Sequence, residues 1–138
     1  MPASGFQHWR FWRRWFGVRS ERAAARFLQR LGYRILATNQ ADRRGELDLI
    51  ALDGQTIVIV EVRSRLDPDP VRIAQTVDYR KQRKLTEAAV RYLSRRRLLG
   101  QAVRFDVVAI SWPESQQEPT ILHFPDAFEA VGRFQMFH

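Results

Sequence analysis

Apolar residues change their spacing along this chain, and each change marks an element. After Ser20, a plausible N-cap, Ala23, Ala24, Phe27, Leu28 and Leu31 recur at helical spacing. Gly32 follows as a natural C-cap, so the pattern predicts an amphipathic helix over 21–31. Residues 33–38 are rich in β-formers and predict a short strand, with 39–45 read as a turn. Two more β-rich runs, 46–52 and 55–62, are joined by Asp53-Gly54, a hairpin signal. Asp67-Pro68-Asp69-Pro70 breaks the chain into a loop. From Asp78 to about Arg97, Leu85, Ala88, Ala89, Tyr92 and Leu93 form one stripe opposite basic residues, and Gly100 ends that helix. Residues 103–110 predict a strand and 121–124 a last one, followed by a short helix near Ala127. The order α-β-β-β-α-β, with a β-α tail, is that of an α/β (α+β) domain.

The hairpin places chemistry. With a two- or four-residue loop centred on Asp53-Gly54, opposed positions put Asp48 across from Ile59 and Glu46 across from Glu61. Leu47, Leu49, Val58, Val60 and Val62 then share a wholly apolar face. Glu46, Asp48, Ile50, Ile57, Ile59, Glu61 and Arg63 share the other, with Asp48 and Glu61 as diagonal neighbours. A three-residue turn would flip one strand and part them.

Composition then narrows the picture. The 138 residues are 45% hydrophobic and 12% aromatic, enough for one folded domain with a core rather than a disordered tail. There is no cysteine, which excludes disulfides, thiolate zinc sites and cysteine nucleophiles. A formal charge of +8 points to a polyanionic partner, nucleic acid or an anionic membrane surface. No apolar run is long enough to span a bilayer and no signal peptide is read, so the expected compartment is cytoplasmic.

The charge is also unevenly spread. Residues 10–34 carry eight basic residues against Glu21, and 63–104 carry twelve against four acids. Between these blocks lie Asp42, Glu46, Asp48, Asp53 and Glu61. Carboxylates converging on an Ile-rich face repel each other and lose solvation, which a hard divalent cation such as Mg²⁺ relieves. A metal-bound water is also a better nucleophile near neutral pH. The backbone oxygen of Val62 would be one more ligand. The other reading of the same residues is an ion-pair network in which Glu46 and Glu61 meet Arg43, Arg44 and Arg63.

Ser20-Glu21-Arg22-Ala23-Ala24, Leu31-Gly32-Tyr33-Arg34-Ile35-Leu36, Asn39 and Gly45-Glu46-Leu47-Asp48-Leu49-Ile50-Ala51 stand in a recognisable order. Val60-Glu61-Val62-Arg63-Ser64-Arg65, Lys81-Gln82-Arg83-Lys84-Leu85 and Arg104-Phe105-Asp106-Val107-Val108 continue it. Over about residues 17–112, with a weaker echo at 124–128, the chain resembles the bacterial YraN-like family. That family is similar to restriction-endonuclease-like nucleases and archaeal Holliday-junction resolvases. The resemblance implies an αβββαβ core, a central mixed sheet flanked by helices, and a PD-(D/E)xK type site using Mg²⁺ or Mn²⁺. It implies an endonuclease acting on DNA, branched or single-stranded. Asp48 would be the PD-type aspartate, Glu61 the second metal ligand, and Glu21 the helix glutamate aimed at the metal. Arg63 stands in the slot of the family's lysine, and arginine cannot act as a general base, so its role there is phosphate contact. The alternative is a nucleic-acid-binding module with a decayed site. Junction resolvases are dimers, which makes a homodimer the expectation by analogy.

Arg80, Lys81, Arg83 and Lys84 on the second long helix suit phosphate contacts, as do Arg43, Arg44 and Arg65 beside the acidic segment. Arg95-Arg96-Arg97 reads as a solvated helix end. Asp106 reads as structural, pairing with Arg104 or capping the site, and His8, His123 and His138 show no ligand spacing or catalytic partner. Residues 1–19 form an appendage to a domain over 20–138, with Gly17 as a hinge. As a helix, Phe6, Trp9, Trp12, Trp15 and Phe16 cover one arc and Arg10, Arg13 and Arg14 the other. Docking onto the core or a second subunit is preferred for 6–16 over a membrane surface or a base-stacking platform.

Overall fold

The computed structural model describes the backbone of residues 5–113 and 118–131, and within these the side chains from Gly17 onward. Eight elements follow in order: α1 (Gly5–Arg30), β1 (Arg34–Asp42), β2 (Gly45–Asp53), β3 (Thr56–Arg65), α2 (Pro70–Ala74), α3 (Tyr79–Arg95), β4 (Val103–Ser111) and β5 (Thr120–Phe128). The strands form one sheet in the order β1-β2-β3-β4-β5. Only β3 and β4 run parallel, joined by the crossover through α2 and α3; the other pairs are antiparallel. The result is an α+β fold, a five-stranded mixed sheet flanked by helices, consistent with a restriction-endonuclease-like core.

The central strand explains the layering. β3 carries the run Ile57-Val58-Ile59-Val60, buried on both faces. Val58 and Val60 join Leu49, Ala51, Val108 and Ile110 against Ala24 and Leu28 of α1. Ile57 and Ile59 join Ile50, Phe105 and Val107 against Leu85, Ala89, Tyr92 and Leu93 of α3. One helix therefore covers each face.

Several expectations are corrected. α1 starts well before Ser20 and passes uninterrupted through Gly17, so Ser20 is no cap and Gly17 no hinge. Ser20 is buried instead, its Oγ accepting a 3.1 Å hydrogen bond from Trp112 Nε1. The aromatic arc expected over 6–16 concerns side chains outside the described ones. The end of α1 is as expected: Gly32 takes φ +96°, Tyr33 N donates to Leu28 O and Gly32 N to Gln29 O, a Schellman cap. β1 extends through the expected turn to Asp42. Asp69 caps the unforeseen short helix α2. α3 ends before Gly100, because Arg97 itself takes the left-handed position, φ +58°, with Leu98 N donating to Leu93 O. Ala127 lies in β5, not in a helix.

The β2–β3 register also differs. Asp53 pairs with Thr56 and Leu49 with Val60, so the two-residue loop is Gly54-Gln55, one position later than expected. Gly54 has φ +60°, a conformation that costs glycine little. This shift of two in the pairing preserves which residues share a face, but Asp48 now falls in line with Glu61 rather than diagonal to it.

Candidate active site

The ladder between β2 and β3 stops at Leu49–Val60, and the reason is Asp48. The next backbone donor, Val62 N, is taken at 2.9 Å by Asp48 Oδ2 rather than by a carbonyl. β1 departs from regularity at the same level. Thr38 pairs with Leu49 and Gln40 with Leu47, but Asn39, between them, has φ +50°. Alternation in β2 breaks here too: Leu47 packs on the α3 side with Ile50, whereas Leu49 packs on the α1 side. The expected placement of Leu47 with Leu49 is thus overturned. Such irregularities re-aim side chains.

Asp48 and Glu61 meet at this break. Glu61 is 5% exposed. Burial, followed by the negative charge of Glu61, pushes the Asp48 carboxyl up to about 7; the Val62 N–H opposes the rise. In its neutral form Asp48 hydrogen-bonds Glu61. Two cations answer the remaining charge. Arg63 Nε donates to Glu61 Oε2 at 3.0 Å, and Lys81 Nζ lies 3.6 Å from the same oxygen. Asp78 caps α3 by accepting from Lys81 N at 2.9 Å, so Lys81 sits in the first turn and the positive end of α3 lies beside Glu61.

Glu21 approaches from α1. Burial raises its pKa, a hydrogen bond with Asn39 lowers it, and the charges of Asp48 and Glu46 raise it further. Asn39 therefore links the helix glutamate to the level of Asp48. Glu46 itself is exposed. At Val62 the backbone group engaged is the N–H. Arg43, Arg44, Arg65, Arg80, Arg83 and Lys84 are exposed, as phosphate contacts require. Lys81 departs from that row and joins the carboxylates.

Among the described residues no three His, Asp or Glu side chains form a metal-holding group. The Asp48–Glu61 pair nevertheless has the donor chemistry for a hard cation: oxygen ligands only, partly desolvated, each opposing the charge of the other. Of the two readings, ion pairing is present at Glu61, through Arg63 and Lys81.

Sequence reasoning missed three features. Asp42, at the end of β1, is gripped by Arg91 of α3 at 2.6 Å, which holds its carboxyl well below the usual range. His123, given no partner above, lies 2.7 Å from Asp106 Oδ2. Asp106 is fully buried and, as expected, accepts from Arg104 Nε at 2.9 Å. Arg104 also reaches Asp53 and Tyr33, closing a network across the sheet. Only pairings at large sequence separation reveal these partners.

A family model described as "Uncharacterised protein family UPF0102" matches residues 20–110. The UPF0102 protein RB9115 of Rhodopirellula baltica is 47% identical over 119 residues, covering 84% of this chain and 71% of that protein. A UPF0102 protein of Xylella fastidiosa is 46% identical over 118 residues, 84% of this chain and 93% of its own. One from Anaeromyxobacter dehalogenans is 42% identical over 117 residues, 85% and 86% respectively. No described helix is long and apolar enough to cross a membrane.

Proposed function

The chain belongs to the uncharacterised protein family UPF0102, and we propose that it is a divalent-metal-dependent nuclease acting on DNA. The observation that carries the reading is the Asp48–Glu61 pair, held at a break in the sheet and flanked by Arg63 and Lys81. Asp48 and Glu61 would hold Mg²⁺ or Mn²⁺, with the Val62 carbonyl as a further donor. Bound there, the cation would supply polarisation of a phosphoryl oxygen and a water of lowered pKa.

The side chains around the pair have separate tasks. Arg63 stays protonated and, steadied by Glu61, offers its remaining donors to the scissile phosphate. Lys81 adds, from α3, a second cation beside Glu61, placed to stabilise charge that develops on the phosphate. Glu21, oriented by Asn39, assists at the α1 side. Arg43, Arg44, Arg65, Arg80, Arg83 and Lys84 hold the flanking backbone.

One observation favours the rival, a binding module with a decayed site: Glu61 is already neutralised by two cations. A panel of single-stranded, duplex, flap and four-way-junction DNA, with single-stranded RNA, separates the two. Cleavage with added Mg²⁺ or Mn²⁺ supports the nuclease and names its substrate. Salt-sensitive binding that ignores metal, with no cleavage, supports the binding module.

A further inference from the structure

Four arginines of α1, away from the carboxylate site, line a single groove. Arg19, Arg22, Arg26 and Arg30 are exposed on α1 and form one wall of a depression of about 480 Å³. Trp112, Pro119 and Ile121 lie across from them, and Glu118 is the one carboxylate lining it. Arg19 rests 5.1 Å from the centre of the Trp112 ring. No ion pair engages Arg22, Arg26 or Arg30 among the described residues. Three guanidinium groups four residues apart repel one another along the helix, about 6 Å of rise per step. The fold gains nothing from this repulsion, and an anionic strand laid along the groove would relieve it.

The shape decides between the polyanions. A helix that lies in a bilayer surface needs a free apolar face beside its cations. Among the described residues of α1 that face is spent, since Ala24 and Leu28 are fully buried against the sheet and Trp112 is buried as well. What remains is concave and cationic, and concavity with one sign of charge focuses the field on a narrow ligand.

We propose that this groove seats the phosphate backbone of a nucleic-acid strand, a contact surface separate from the Asp48–Glu61 pair. The inference shares with the nuclease reading only the class of polyanion. The test is fluorescence anisotropy of a labelled single-stranded oligonucleotide across a NaCl series, in EDTA so that cleavage plays no part. The R22Q/R26Q/R30Q variant should flatten the log–log salt slope by about 2, at ~0.7 per lost phosphate contact, and weaken binding at least tenfold. R22K/R26K/R30K should keep the wild-type slope, because charge rather than shape is at work. Glutamine matches arginine as a helix former, and circular dichroism checks the fold; Arg26→Glu alone serves if the triple variant misfolds, with several-fold weaker binding expected. An unchanged slope and affinity in the glutamine variant would overturn the proposal. So would binding to phosphatidylserine vesicles that those three arginines carry while oligonucleotide affinity stays intact.

Discussion

Replacing Asp48 with asparagine should stabilise the metal-free protein, and by an amount that grows with pH. Asparagine keeps the shape and can still accept from Val62 N, now at 2.9 Å from Asp48 Oδ2, while donating to Glu61. What it removes is a charge that burial and Glu61 disfavour, raising the carboxyl from 3.8 to about 7. A rise of that size corresponds to roughly 4 kcal/mol against the ionised form. The sign follows from proton uptake. The unfolded chain releases this proton near pH 4 and the folded chain only near 7, so the wild type loses stability across that window. Urea unfolding in EDTA at pH 5 and pH 8 reads the effect. The advantage of Asp48→Asn should widen by about 2.5 kcal/mol between the two, the slopes of groups remote from Asp48 cancelling in the difference. An advantage independent of pH, or a variant less stable at both values, would refute the account of this pair.

Asp106 should behave in the opposite sense. Its pKa is lowered despite burial, by His123, Arg104 and the Asp126 N–H, so its contribution is present above about pH 4 and is lost as pH falls below it. Asp106→Asn should cost about 3 kcal/mol at pH 7 in urea unfolding and remove part of the acid-unfolding limb. Trp112→Phe leaves the buried Ser20 hydroxyl unpaired and should cost ~1–2 kcal/mol in the same assay. Arg97→Gly relieves a left-handed residue at the end of α3 and should raise stability by up to ~1 kcal/mol. At the site, Lys81→Met should slow cleavage at least ~10²-fold, whereas Arg63→Lys should stay within about tenfold of wild type, as measured in single-turnover kinetics.

Much of the frame was legible because its signals are local. The apolar stripes fixed α3 and the later part of α1, and β-rich runs with Asp53-Gly54 located the hairpin. Its face assignment survived a shift of two because side chains in a strand alternate with period two. Leu47 escaped that logic, since the alternation breaks at Asp48, where a carboxylate replaces a carbonyl in the ladder. Asp48 and Glu61 could be proposed from the hairpin pattern, and Glu21 from the family resemblance. That Lys81 joins Glu61 could not, because α3 is placed by the crossover between β3 and β4 and by its packing on the sheet. The arginine groove depends likewise on Trp112, Pro119 and Ile121 lying beside α1.

The central claim is that Asp48 and Glu61 hold a catalytic cation. Its most direct test is single-turnover cleavage of the best DNA substrate with Mn²⁺, wild type beside Asp48→Asn, with binding of the same DNA measured in EDTA at one stated salt. The account predicts cleavage lost by at least ~10³-fold with affinity kept within a few-fold. Equal cleavage by both proteins would contradict it.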